Sequence, residues 1–238
     1  MIRSDNYMQN SSKVEALDNV RRLPSNATPH QDTRVWPRAK RGIDAVLTAV
    51  MLAVASPVMI VLWALVKLDG GPGFYGHVRI GRNGREFRCL KFRSMVVDAD
   101  AVLKRHLAKN PAARMEWDAT QKLAQDPRVT WVGRLLRESS LDELPQLCNV
   151  LVGDMSLVGP RPVIRAELTR FYGPEDQQAY LSIRPGVTGL WQVSGRSDVA
   201  YASRVALDTE YVRSASLSLD VNILWRTIGV VLLRKGAR

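Results

Sequence analysis

The sequence predicts a mostly α-helical fold with a small β-hairpin, carried on a monotopic membrane anchor near its N-terminal end. Three observations lead there. Residues 45–66 are 22 residues without a charge. Residues 78–92 place Asn83-Gly84 between two runs of β-formers. Beyond the hairpin, most of the chain keeps helical apolar spacing between Pro and Gly breaks. The 238 residues divide into a tail (1–38), a membrane segment (39–68) and a globular body (69–238). The tail shows no periodicity and is read as flexible and cytoplasmic.

At about 1.5 Å per residue the apolar stretch is roughly 33 Å long, one hydrocarbon thickness. On length alone it is a single span. Two features point instead to a re-entrant helix-break-helix. Ser56-Pro57 lies at its midpoint, where proline removes a helix hydrogen bond and should kink or break the helix. Basic residues also flank both ends: Lys40 and Arg41 before it, and Lys67, Arg79, Arg82, Arg85 and Arg88 after it. Positive flanks favour the cytoplasmic side, and here both ends want it.

In the body, Asn83-Gly84 supplies the positive φ angles of a tight hairpin turn. Asp98 reads as the N-cap of a helix ending at Asn110-Pro111, and residues 112–125 as a second helix. Residues 132–152 are helical in character with an interruption near 139–145, where Ser140 and Glu143 form a capping-box pattern. The segments around 153–155, 159–162 and 184–189 read as loops, and 163–171 and 174–181 as short helices. Residues 217–232 place apolar side chains at helical spacing. Trp225, Arg226, Arg234 and Lys235 suit a helix lying on a membrane surface, and a core-packing helix fits the spacing equally well.

Composition excludes a wholly disordered chain and a multi-span bundle: 46% of residues are hydrophobic and 24% charged. Two distant cysteines, Cys89 and Cys148, give no disulfide scaffold or cysteine zinc site. Thirty-four Lys and Arg against 23 Asp and Glu leave +11, which calls for an anionic partner. Nucleic acid is disfavoured, because the aromatics are not interleaved with the arginines as in stacking platforms. No Walker loop, Gly-x-Gly-x-x-Gly or Gly-x-Ser-x-Gly occurs.

Several loops combine glycine, proline and arginine: GPRP at 159–162, RPGVTG at 184–189 and SGRS at 194–197. Proline fixes the backbone, glycine permits close approach, and arginine offers a fork of donors for phosphate oxygens. The other notable element is Asp142-Glu143 between two leucines. One such carboxylate can act as a nucleophile while the other handles a proton or helps hold Mg²⁺. Acids that merely favour a helix start remain the alternative.

Taken in order, these motifs resemble the bacterial sugar transferase family, the monotopic polyprenyl-phosphate phosphoglycosyl transferases. The likeness runs from about residue 40 to 235. It rests on KRGIDAVLTAV with its central Ser-Pro, CLKFRSM, the long DPRVTWVGRLLRESSLDELPQLCNVLVGDMSLVGPRP, RPGVTGLWQVSGRS and ALDTEYV. It is nearest to short exopolysaccharide-initiating members. The resemblance implies transfer of a hexose-1-phosphate from a UDP-hexose to undecaprenyl phosphate, with release of UMP through an aspartyl-phosphosugar. Glucose and galactose are the favoured sugars. It implies Asp142 as nucleophile and Glu143 as its partner, both toward Mg²⁺, with Lys91, Arg137, Arg161 and Pro162 at the phosphates. Arg93, Arg184, Gln192, Arg196, Asp208 and Tyr211 are further candidate site residues, and Ser56 and Pro57 mark the helix break. His77-Val78 and Trp131 depart from common family residues, which leaves headgroup or sugar preference open. The implied setting is a bacterial inner membrane, with inner-membrane lipids as partners and the catalytic domain on the cytoplasmic face. Oligomeric state is open, a homo-oligomer included. A non-catalytic scaffold for polysaccharide assembly and a membrane-tethered nucleic-acid binder are the alternatives.

Overall fold

The computed structural model of the chain describes residues 35–120, 122–195 and 201–232. In order they form α1 (Val35–Lys67), β1 (Phe74–Ile80), β2 (Glu86–Phe92), α2 (Ala99–Lys109), α3 (Pro111–Thr120), α4 (Trp131–Ser139), α5 (Gln146–Val152), β3 (Ser156–Val158), α6 (Arg165–Phe171), α7 (Pro174–Ser182), β4 (Gly186–Thr188), α8 (Leu190–Val193), α9 (Tyr201–Ser214) and α10 (Leu217–Leu232).

α1 begins inside the segment read as tail and is continuous through Pro57, so the expected break is absent. The reason is local. Pro57 has no N–H for the carbonyl of Ala53, but Ser56 Oγ donates to that oxygen at 2.9 Å. The neighbouring hydroxyl replaces the missing donor.

One face of α1 lies against the body. Asp44, Thr48, Leu62 and Val66 are buried, and Leu52, Ala55 and Met59 are half-buried between them. That is a stripe at spacings of three and four. The other side leaves Val46, Val50, Val54, Val58 and Val61 exposed. Both ends of α1 are tied to the same body. Lys40 pairs with Asp220 on α10, and Ser156 Oγ donates to Asp44 at 2.6 Å. Arg41 donates to the carbonyls of Val150 and Leu151 at 2.6 and 2.7 Å, closing the C-terminus of α5. At the far end Arg93 donates to Val66 O at 3.0 Å and to both oxygens of Asp69.

The hairpin forms as expected but is longer, pairing Phe74 with Phe92 through to Ile80 with Glu86. Asn83 and Gly84 take φ of 58° and 75° at its turn. Along β2, side chains alternate. Phe87 and Cys89 face the core, so Lys91 shares their side. Asn149 on α5 serves the outer edge of β2: Leu90 N–H donates to its Oδ1 and its Nδ2 donates to Arg88 O, both at 2.9 Å.

Three local expectations are corrected. Asp98 stands at the start of α2 but makes no side-chain cap. α3 ends at Thr120 rather than 125, where Glu116 Oε1 accepts the N–H of Ala124 at 2.7 Å and holds the chain beyond it as a turn. Residues 184–189 are not merely a loop. β4 pairs in parallel with β3, Ser156 with Gly186 and Val158 with Thr188. Gly186 N–H donates to Pro160 O at 2.8 Å and Gly159 N–H to Thr188 O at 2.9 Å. A Cβ on Gly159 or Gly186 would overlap the other segment's backbone, so the glycines allow the two motifs to zip together.

α10 packs one face on the core and leaves another exposed; Arg234 and Lys235 lie outside the described residues. Ile223 is fully buried and Arg226 Nη2 donates to Val193 O at 3.0 Å. Leu217, Val221, Trp225 and Ile228 form an exposed apolar stripe, with Trp225 at 76% exposure.

Candidate active site

α4 starts at Thr130, whose Oγ1 accepts the N–H of Gly133 at 2.9 Å. It buries Val132 and Leu136 and ends where Ser140 turns left-handed, with φ of 57°. Such a conformation costs a non-glycine residue roughly 1 kcal/mol or more. Ser140 therefore does not cap a new helix. Its backbone reverses the chain into a single 3-10 turn, Leu141–Glu143, and α5 begins at Gln146. That turn presents Asp142 and Glu143 above the core-facing side of β2.

Neighbours in a turn point in different directions, yet one cation reaches both acids. Lys91 Nζ lies 2.6 Å from Glu143 Oε1 and 3.4 Å from Asp142 Oδ2. Burial pushes the Asp142 carboxyl above the usual carboxylate range, and the Glu143 charge adds to this; Lys91 and Arg137 oppose it. Burial also lowers the Lys91 ammonium, but the two acids outweigh that and hold it above its usual value. Arg137, whose Nε donates to Ser94 Oγ at 2.9 Å, is drawn below its usual range by burial, with Asp142 partly offsetting. The site is a partly desolvated acid pair between two cations.

Arg161 is the third cation. Its charge acts on Lys91, and its guanidinium stands over Trp191 at 5.3 Å. The buried Pro162 fixes the loop behind it. Asp208 holds that loop from below: Oδ1 accepts the Arg161 N–H at 3.4 Å and Oδ2 the Tyr172 hydroxyl at 3.0 Å. Asp208 is fully enclosed, and burial pushes its carboxyl up to about 7 despite Arg204.

The structure therefore gathers Asp142, Glu143, Lys91, Arg137 and Arg161, with Asp208 beneath. It does not gather the rest in this way. Arg93 is buried and spends its donors on Asp69 and on the carbonyls of Val66, Pro72 and Met95. Arg184 Nε closes the end of α5 on Gly153 O at 2.7 Å. The Tyr211 hydroxyl sits against Asp220 at 2.7 Å and Val158 O at 3.1 Å, deep in the core. Gln192 is half-buried, its Oε1 without a partner among the described residues. Arg196 lies outside the described residues. Sequence reasoning missed Asn149, Tyr172 and Arg204. Asparagine on an otherwise apolar helix turn was the available signal for the first; the other two gave none.

Among the described residues no group of three or more His, Cys, Asp and Glu converges as a metal cage. Mg²⁺ takes one or two carboxylates together with substrate phosphate oxygens, and Asp142 and Glu143 are donors of that chemical type.

Fold and site together define a class: a membrane-anchored, mostly helical protein that sets a half-buried acid pair among phosphate-matched cations. The description "Bacterial sugar transferase" matches residues 35–234, and the chain belongs to that family. It is 55% identical over 198 residues to the undecaprenyl-phosphate galactose phosphotransferase of Salmonella typhimurium, covering 83% of this chain and 41% of that protein. It is 53% identical over 202 residues to the exopolysaccharide production protein ExoY of Rhizobium meliloti, covering 84% and 88%. The undecaprenyl-phosphate glucose phosphotransferase of Komagataeibacter xylinus is 39% identical over 203 residues, covering 79% and 35%. The chain thus spans less than half the length of the Salmonella and Komagataeibacter relatives.

Proposed function

We propose that the protein transfers a hexose-1-phosphate from a UDP-hexose to undecaprenyl phosphate, the opening step of exopolysaccharide assembly. The observation that carries this is the Lys91 contact to both Asp142 and Glu143, with Arg137 and Arg161 beside them. An Asp142 oxygen attacks the β-phosphorus, and the bond from that phosphorus to the bridging oxygen breaks. UMP leaves with the electron pair. The acceptor phosphate oxygen then attacks the same phosphorus and frees the Asp142 carboxylate. Burial makes the carboxylate less solvated and raises its pKa, and the Lys91 charge opposes that rise. The arginines face charge that spreads over the phosphoryl oxygens. Glu143 stands where it can take or return the acceptor proton. Asp142 and Glu143 would hold Mg²⁺, which would neutralise diphosphate charge there. A UMP-release assay over a panel of UDP-sugars with undecaprenyl phosphate tests the reading. Turnover with UDP-galactose or UDP-glucose is expected, with at least about a hundredfold loss on EDTA restored by Mg²⁺. No UMP from any UDP-sugar overturns it and favours the scaffold.

The anchor is proposed to keep both of its ends on the cytoplasmic face of the inner membrane, seated in the leaflet as one unbroken helix. Support comes from its two ends, Lys40-Arg41 and Val66, which bond the same body. A perpendicular span would drag that polar body into hydrocarbon. Cysteines placed at residues 3 and 70 in intact spheroplasts are expected to be equally shielded from an impermeant thiol reagent; opposite labelling overturns the topology.

A further inference from the structure

Arg204 stands in the first turn of α9 with its guanidinium 4.7 Å from the ring centres of both Trp191 and Tyr201. Among the described residues its Nε and Nη2 are closed off from solvent and find no acceptor. Charged donors left unmade in a low-dielectric setting are costly, and native structures rarely tolerate them without a reason. Asp208, whose charge Arg204 feels, already gives its two oxygens to Tyr172 and to the Arg161 N–H.

Further unmade groups belong to the same short stretch. Among the described residues the Trp191 Nε1–H and the hydroxyls of Tyr201 and Ser203 have no acceptor, and Gln192 Oε1 has no donor. Arg161 stands over the same Trp191 ring at 5.3 Å, and its charge reaches Lys91. The cations therefore run from Lys91 through Arg161 to Arg204, with Trp191 shared by the last two. One end of this run is at the acid pair.

We infer that Arg204, with Trp191 and Tyr201, forms a second phosphate seat that receives the nucleotide-side phosphate of the donor. This rests on the proposed sugar-phosphate transfer. A diphosphate presents two adjacent phosphoryl groups. The one that reacts lies at Asp142 and Lys91, and the one that departs lies along the run toward Arg204. The acceptor lipid also carries a phosphate, but Gln192, next along the chain from Trp191, adds an unmade acceptor, Oε1. A heteroaromatic base can stack on the rings and donate to that oxygen; an isoprenyl chain can pack on the rings but has no donor for it. Arg204 as a residue is only half-buried.

The test is titration calorimetry of full-length protein in nanodiscs with two probes, UMP and a short isoprenyl phosphate. Arg204→Met is expected to weaken UMP at least about tenfold, as for a lost charge-assisted hydrogen bond. Arg204→Lys recovers part of that, and Tyr201→Phe loses a few-fold. The isoprenyl phosphate binds every variant alike, which also reports that each is folded. If Arg204→Met does not fold, Arg204→Lys and Tyr201→Phe decide. Unchanged UMP affinity in the variants overturns the seat and leaves the transfer reaction standing. A loss confined to the isoprenyl phosphate gives the seat to the acceptor and overturns it too. A wild-type protein that binds no UMP overturns both the seat and the donor reading.

Discussion

Asp142→Asn is expected to leave a folded protein that forms no phosphosugar adduct and releases UMP at least about a thousandfold more slowly. The amide keeps the volume and one carbonyl oxygen, so the 3-10 turn at Leu141–Glu143 survives. What goes is the anionic nucleophile. With UDP-galactose or UDP-glucose present and acceptor withheld, intact mass should show the adduct on the wild type alone, mapped to position 142. UMP release by the variant at a tenth of the wild-type rate would mean that phosphoryl transfer bypasses this side chain, and the covalent scheme would have to be abandoned.

Removing the cation that bridges the pair should have the second largest effect. Lys91→Met strips the 2.6 and 3.4 Å contacts from Glu143 and Asp142, and a loss of about a hundredfold in kcat/KM is expected. The pH profile carries the sharper signature. Asp142 already sits above the ordinary carboxylate range because it is buried, and Lys91 is the largest influence pulling it back. Without Lys91 the protonated form gains further. Only the ionised carboxylate attacks, so the acid limb of the rate profile must move to higher pH. Lys91→Arg keeps the charge and should return the limb most of the way. An acid limb that stays in place in Lys91→Met would assign it to another group.

Much of the body was legible because its signals are local. Asn83-Gly84 demanded positive φ and obtained it. The apolar spacing over 217–232 became α10 with the same bounds. The acid pair stood out because charges between leucines are unusual. Other features depended on partners distant in the chain. Arg93, Arg184 and Tyr211 carry the donors a phosphate site would use, and nothing in their own neighbourhoods reveals that Asp69, Gly153 O and Asp220 claim them. Ser140 looked like a cap because serine often is one; the tertiary turn toward β2 needed its backbone instead. β3 and β4 are three residues each, with 27 residues between the end of one and the start of the other, too short for periodicity to register. At Ser56-Pro57 the proline was read without its neighbour's hydroxyl.

The Arg93 clasp has a mechanical meaning. It grips the last turn of α1 through Val66 O and Asp69, two positions along the chain from Lys91. Anchor and nucleophile-facing strand are thereby coupled. A displacement of the end of α1 is carried through Arg93 to the strand whose ammonium rests on two carboxylates.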